Sequence, residues 1–277
     1  MTALWCNGQW MEPREFSVES TDRGLLLGLG LFETLLAIDG VPVFAERHLA
    51  RLRSACLRLG WCPDLSHDFP TLMADLAQRN ALGSGRSRIR LTLTAGSGPL
   101  HDLALGADHR IWMSAMPAAA HPMTTSAHLS PWVKNEHSPL AGLKCAAMAE
   151  HLVALEHAVR RGFGDTVFSN TVGHLCEAST SNIFAVENGT LFTPSLASGC
   201  LPGITRAVVL ERAASLGIPC VETDLTPDTL RTADEWFLTS SLRGLVGISR
   251  FDDRDFSPGP ITRILREAWH AAILEGQ

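Results

Sequence analysis

Two lysines, Lys134 and Lys144, stand in a chain that carries 23 basic side chains, and every other one is an arginine. A primary amine can lose its proton near neutral pH, attack a carbonyl and form a Schiff base, whereas guanidinium stays charged and non-nucleophilic. Lys144 lies in His137-Ser-Pro-Leu-Ala-Gly-Leu-Lys-Cys-Ala-Ala-Met148, where Pro139 and Gly142 shape a loop ahead of an apolar helix start. A codon bias that trades lysine for arginine and removes tyrosine, which is absent, gives the same composition, so rarity alone does not decide the matter. Two other stretches bear on it. In Gly199-Cys-Leu-Pro-Gly-Ile-Thr-Arg206 a Pro-Gly pair precedes a helix whose first amides suit a phosphate, although such pairs more often only cap. In Cys176-Glu-Ala-Ser-Thr-Ser-Asn-Ile-Phe184 the carboxylate of Glu177 precedes small hydroxyl residues inside an apolar strand pair, a place where a surface acid is also common.

The elements that must position these groups belong to a chain of 277 residues, enough for two ordinary domains or one large α/β domain. A net charge of −6, with arginines scattered among acids, argues against nucleic acid as a partner and for small molecules. The longest apolar run, Leu25 to Phe32, is broken by Gly28 and Gly30, so no segment is expected to span a membrane. The first residues lack a basic start and a long apolar middle, so no secretory signal is expected. Seven cysteines without a C-x-x-C pair predict reduced thiols in a cytoplasm, with neither disulfide nor metal.

Asn7-Gly8, Asp39-Gly40 and Asn188-Gly189 predict tight turns. The spacing of Leu49, Leu52, Ala55, Cys56 and Leu59 predicts a helix over 46–59, and 69–78 a second one. Alternation over 87–94 predicts a half-buried strand, continued in the sheet by 111–116. The alanines between Pro117 and Pro122 mark the expected boundary, giving domains 1–117 and 123–277. Beyond it, Met148, Leu152, Leu155 and Val159 are read as the buried stripe of a helix. Short strands follow, with a helix after Leu201-Pro-Gly-Ile-Thr-Arg206 running to about Leu216, a short one opened by Thr226-Pro227 and a last one at 261–274.

Taken together, Asp22-Arg-Gly24, Gly28-x-Gly-x-Phe-Glu-Thr34, Ala141-Gly-Leu-Lys144, Glu177-x-x-x-Ser-Asn-Ile-Phe184 and Leu201-Pro-Gly-Ile-Thr-Arg206 resemble the class IV (fold type IV) pyridoxal-phosphate enzymes. That group includes branched-chain and D-amino-acid aminotransferases and aminodeoxychorismate lyase. The resemblance implies an α/β fold with a small N-terminal α/β domain, a larger C-terminal β-barrel-like domain with helices, and a homodimer. It implies pyridoxal 5'-phosphate on Lys144, with Glu177 at the pyridine nitrogen. Arg51, Ile204, Thr205, Ser240 and Ser241 would hold the phosphate. Lys134 has no counterpart by position and is read as an ordinary surface or loop cation.

Within the group, aminotransferases that grip an α-carboxylate usually show Thr-Arg-Gly where this chain has Thr94-Ala-Gly96. Leu27 and Leu29 make an apolar substrate mouth, and Arg243 is the expected partner of a substrate carboxylate. Pro139 to Lys144 and Ser240-Ser-Leu-Arg-Gly244 look more like the lyase branch, although the Arg-rich turn of that branch is replaced by Pro99-Leu-His-Asp102. The expected activity is 4-amino-4-deoxychorismate lyase, releasing pyruvate to give 4-aminobenzoate in folate biosynthesis. The alternatives are a class IV aminotransferase for D-amino or branched-chain acids and a noncatalytic binding protein of the same fold.

Overall fold

The computed structural model describes residues 3–99 and 108–275. Two compact units make up the chain. The first holds the residues up to Ala120 together with Leu143–Ala147, and the second holds His121–Gly142 and Met148–Glu275. The single boundary expected near residue 120 is therefore incomplete, because the Lys144 segment groups with the first unit.

In the first unit the elements are β1 (Leu4–Cys6), β2 (Gln9–Met11), α1 (Arg23–Leu27), β3 (Gly30–Ile38), β4 (Val41–Pro42), α2 (Ala45–Leu59), α3 (Phe69–Arg79), β5 (Arg86–Thr94) and β6 (Arg110–Pro117). The strands form one sheet in the order β2-β1-β6-β5-β3-β4. β3 and β5 pair antiparallel along their whole length, from Gly30 opposite Thr94 to Ile38 opposite Arg86. Leu31, Leu35 and Ala37 on β3 and Ile89, Leu91 and Leu93 on β5 point to one face, where Leu49, Leu52 and Cys56 of α2 and Phe69 and Met73 of α3 close the core. The period of two along both strands produces this layer. Asp22 caps α1 by accepting from the amides of Gly24 and Leu25, and also accepts from the Thr94 hydroxyl at 2.7 Å. Arg23 is buried and donates to the carbonyls of Ser97 and Pro99, so the Asp22-Arg-Gly24 motif clamps the end of β5. Of the Pro99 to Asp102 turn, residues 100–102 lie outside the described residues.

The second unit contains β7 (Thr124–Lys134), α4 (Ala149–Arg160), β8 (Asp165–Asn170), β9 (Leu175–Ala178), β10 (Asn182–Glu187), β11 (Thr190–Pro194), α5 (Ile204–Ser215), β12 (Cys220–Thr223), α6 (Thr229–Thr232), β13 (Glu235–Ser240), β14 (Gly244–Phe251), β15 (Arg254–Asp255) and α7 (Pro260–Glu275). Its strand path is β12-β11-β10-β13-β14-β7-β8-β9, and β15 pairs with β14. β9, at one end of that path, also packs against β10 and β11, so the sheet curls back on itself. α6 opens after Asp228 rather than at Pro227, because Thr226 donates its amide to the Thr229 hydroxyl in a turn that precedes the helix.

One expectation about α4 is overturned. Its buried residues are Ala154 and Ala158, whereas Leu152 and Val159 are more than half exposed. Two alanines let the helix lie close against the sheet, and that approach turns the large apolar residues outward. No helix among the described residues is long and apolar enough to cross a membrane.

Candidate active site

In the first unit the backbone around Lys144 is stapled to β3. The Phe32 amide donates to the Lys144 carbonyl at 2.9 Å, the Ala146 amide donates to the Gly30 carbonyl at 2.8 Å, and Leu31 and Cys145 form an antiparallel bridge. Gly30 permits this approach, since a Cβ there would stand 3.0 Å from the Cβ of Ala146 and 3.2 Å from the Leu93 carbonyl. The Nζ of Lys144 lies 4.5 Å from the centroid of the Phe32 ring, and the Arg90 guanidinium lies 3.8 Å from the same centroid. Two cations thus share one aromatic ring. Arg90 is half-buried and gives its Nε to the Thr92 hydroxyl, and among the described residues no carboxylate pairs with it. Burial and neighbouring Arg88 lower its pKa.

Glu33, next to Phe32 on β3, points to the opposite face, among core residues. It is 1 % exposed, and such a carboxylate is costly unless paired. Arg51 of α2 grips both oxygens, Nε to Oε1 at 2.9 Å and Nη2 to Oε2 at 2.6 Å, and His48 one turn earlier reaches Oε2 at 2.7 Å. Burial pushes the Glu33 carboxyl up, but the Arg51 charge and the bonds from His48 and Arg51 outweigh it, and its pKa is held at about 2. His48 has its own pKa lowered, by burial first, so the ring is neutral and its Nδ1 carries the proton given to Glu33. This fork fixes the plane of Arg51. Glu33 and His48 were not singled out in the sequence, although Phe-Glu-Thr belonged to the motif. Leu29 packs at the margin of the first core and Leu27 is exposed on α1.

In the second unit Glu177 on β9 is nearly buried and ionised. Lys134, the last residue of β7, gives its ammonium to Oε1, and the Leu201 amide donates to Oε2 at 2.8 Å. The His151 Nε2 lies 3.2 Å from the Lys134 Nζ. Burial raises the pKa of Glu177, but the Lys134 charge, with hydrogen bonds from Lys134 and Leu201, prevails and holds it at about 2. The reading of Lys134 as an ordinary surface cation is therefore wrong. Burial works to lower the Lys134 pKa, yet the Glu177 carboxylate overrides it and the net shift is upward. An amine held as ammonium is no nucleophile.

The loop into α5 is held from both sides. Leu201 binds Glu177 through its amide and Asn182 Nδ2 through its carbonyl, the latter at 2.8 Å. Gly203 is the N-cap of α5, no side chain caps that end, and Ile204 and Thr205 form its buried first turn. A Cβ on Gly203 would fall 2.0 Å from the Asn182 Oδ1, so glycine is required for the close approach. Ser240 ends β13, and Ser241 lies in the turn to β14. Arg243 closes that turn, but the expectation that it meets a substrate is revised. Its Nη2 donates to the Asp165 Oδ2 at 2.7 Å and to the Ser181 hydroxyl at 2.5 Å, so it ties the Ser240-Ser241 turn to the β9–β10 connection.

The family model described as amino-transferase class IV matches residues 30–251. The chain belongs to that family. An aminodeoxychorismate lyase of Bacillus subtilis is 24% identical over 91% of this chain and 88% of the relative. The structure of 4-amino-4-deoxychorismate lyase from Pseudomonas aeruginosa superposes with a TM-score of 0.84 at 31% identity, covering 97% of this chain and 98% of that one. A branched-chain aminotransferase from Thermoproteus uzoniensis, solved with norvaline, gives 0.92 at 25% identity and covers 100% and 96%.

The class IV chain is thus an enzyme with the class IV two-domain α/β fold, and its cofactor is pyridoxal 5'-phosphate. Its residues fit that group chemically. It has a second lysine in Lys144, a buried ionised carboxylate in Glu177, an arginine fixed by Glu33, and a helix N-terminus with a glycine where a Cβ would clash.

Proposed function

We propose that this class IV enzyme is a 4-amino-4-deoxychorismate lyase, cleaving its substrate to pyruvate and 4-aminobenzoate. The observation that carries the choice is Ala95. Where transaminase relatives usually place arginine, this chain has a methyl buried to 2 % in the first core, so the position offers no grip on an α-carboxylate. The Pseudomonas aeruginosa lyase and the Thermoproteus uzoniensis aminotransferase are both similar to this chain, at 31% and 25% identity. The closer superposition on that aminotransferase favours the second reading, transamination of an amino acid.

When bound, pyridoxal phosphate supplies a protonated ring that accepts electrons from the bond next to the substrate nitrogen. Lys144 would hold its aldehyde carbon, Glu177 its ring nitrogen, and Arg51, Ile204, Thr205, Ser240 and Ser241 its phosphate. Whenever it is not engaged with that carbon, the Lys144 Nζ would be the base that takes the proton from the substrate carbon bearing nitrogen. The resulting ammonium is the donor for the proton that the departing enolpyruvyl group needs to leave as pyruvate, and aromatisation of the ring left behind drives the step. Arg90, unpaired with any carboxylate among the described residues and sharing the Phe32 ring with Lys144, is the cation we assign to a substrate carboxylate. The pathway served is folate biosynthesis, in the cytoplasm.

A homodimer is part of this reading. Leu152, Val153 and Val159 leave an apolar face of α4 exposed, and a second copy is the occupant that would cover it. Sedimentation of the parent against a Leu152→Asp, Val159→Asp variant tests this, with a shift to monomer expected.

The activity is tested by supplying 4-amino-4-deoxychorismate and, separately, a panel of D- and branched-chain amino acids with a keto acid. Pyruvate and 4-aminobenzoate released in equal amounts, without amino transfer, is the expected result. Amino transfer without pyruvate release would establish the second reading instead.

A further inference from the structure

The pairing of the chain's two lysines with different chemistry carries further. Lys134 is largely shielded, with its side chain 18% exposed, and its ammonium is aimed by two acceptors. It donates to the Glu177 Oε1 from the end of β7, and its second acceptor, the His151 Nε2 on α4, lies 3.2 Å away. Because an ammonium only donates, Nε2 must accept, so the imidazole is neutral with its proton on Nδ1. That Nδ1 is buried and has no hydrogen-bond partner among the described residues, and the ring edge is held against Phe168 at a centroid distance of 5.4 Å. The Leu201 amide takes the other Glu177 oxygen.

Four titratable groups face the carboxylate: Lys134 from β7, His151 from α4, Cys176 beside it on β9, and Cys200 from the loop before α5. Burial and the Glu177 charge push both thiols up, so they stay neutral. Lys134 is therefore the group that supplies positive charge to Glu177. Burial without it would drive the carboxyl toward its protonated form.

We propose that Lys134 is a positioning residue that acts through Glu177: by keeping this buried carboxylate an anion, it leaves the shared proton on the cofactor's ring nitrogen rather than on the acid. His151, as a neutral acceptor, aims the ammonium. The proposal rests on the reading of Glu177 as partner of the ring nitrogen. A carboxyl that took the proton itself would leave the ring neutral and a poorer electron acceptor, so Lys134 sets the chemistry without touching the substrate.

The test uses the holoenzyme and reads the visible absorption of bound pyridoxal phosphate against pH, with no substrate present. In the parent the spectrum should be insensitive to any titration of Glu177 above pH 5. Lys134→Met should introduce a transition between about pH 5 and 8, the range into which an uncompensated buried carboxyl moves. Lys134→Arg should restore the parent profile, and His151→Phe should give a smaller displacement in the same direction. Lys134→Gln, which keeps a donor but no charge, should behave as Lys134→Met does and serves if the methionine variant does not fold. Glu177→Gln is the control. If it leaves the spectrum unchanged, Glu177 is not at the ring nitrogen and the proposal falls with that reading. If Glu177→Gln alters the spectrum while Lys134→Met and Lys134→Gln keep the parent profile, the role of Lys134 alone is overturned.

Discussion

Arg243 and Asp165 form a half-buried ion pair, 2.7 Å between Nη2 and Oδ2, in which the carboxylate is 1 % exposed. Asp165 also accepts from the Ser179 hydroxyl at 2.6 Å and from the Thr166 amide at 2.9 Å, so the pair gathers the starts of β8, β10 and β14. Removing the arginine leaves a buried acid without its counter-charge. Arg243→Ala should lower stability by about 3 kcal/mol, read from urea denaturation. Adding Asp165→Asn should recover part of that loss. A variant of parental stability whose defect lies only in kcat/KM would return Arg243 to substrate recognition.

Lys134 is held as an ammonium by Glu177, so the two lysines should separate cleanly in a chemical test. Borohydride treatment of the holoenzyme followed by peptide mapping should label Lys144 and leave Lys134 unmodified. Lys144→Arg should keep the fold and abolish both labelling and turnover, because guanidinium cannot react with the aldehyde.

Arg90 is assigned to a substrate carboxylate. Arg90→Ala should lower kcat/KM for an anionic amine by a factor corresponding to about 2–4 kcal/mol. Cofactor affinity, measured by equilibrium dialysis, should stay near the parent value. An equal loss of cofactor would show that Arg90 acts on the phosphate or on the fold instead.

Glu33 gives a pH dependence of definite sign. Its pKa falls from the ordinary 4.5 to about 2 on folding, so its contribution is complete above about pH 4.5 and drains away as pH drops toward 2. Glu177 titrates in the same window. Glu33→Gln should therefore flatten, without abolishing, the decline of the urea midpoint on acidification. It should also weaken cofactor binding, since Arg51 loses its bidentate anchor. An unchanged acid slope would falsify the assignment of that window to Glu33.

Local features were legible in the chain. The turns at Asn7-Gly8, Asp39-Gly40 and Asn188-Gly189 each place both residues at positive φ, and α2, α3 and β5 fall within a residue or so of their expected spans. These signals are carried by neighbours in sequence. Lys134 was misread because its partner lies 43 residues away, and nothing local distinguishes a buried ammonium from a solvated one. Yet the rarity that drew attention to Lys144 applied equally to Lys134. The α4 stripe failed for another reason. Hydrophobic spacing marks an apolar face but not what covers it, and the close approach was made through Ala154 and Ala158. Arg243 followed the same pattern, because a position beside the Ser240-Ser241 turn says nothing of Asp165, 78 residues earlier.

The staple between Lys144 and β3 has a consequence for how such a gene can be recombined. Leu143–Ala147 groups with the first unit while the chain on either side of it groups with the second, so the units are laced through one another in sequence. Cutting the gene once near residue 120 does not separate them. A chimera built by a single crossover there would take Lys144 from one parent and the strand that grips its backbone from the other. Exchanging the second unit intact requires that five-residue segment to be grafted back.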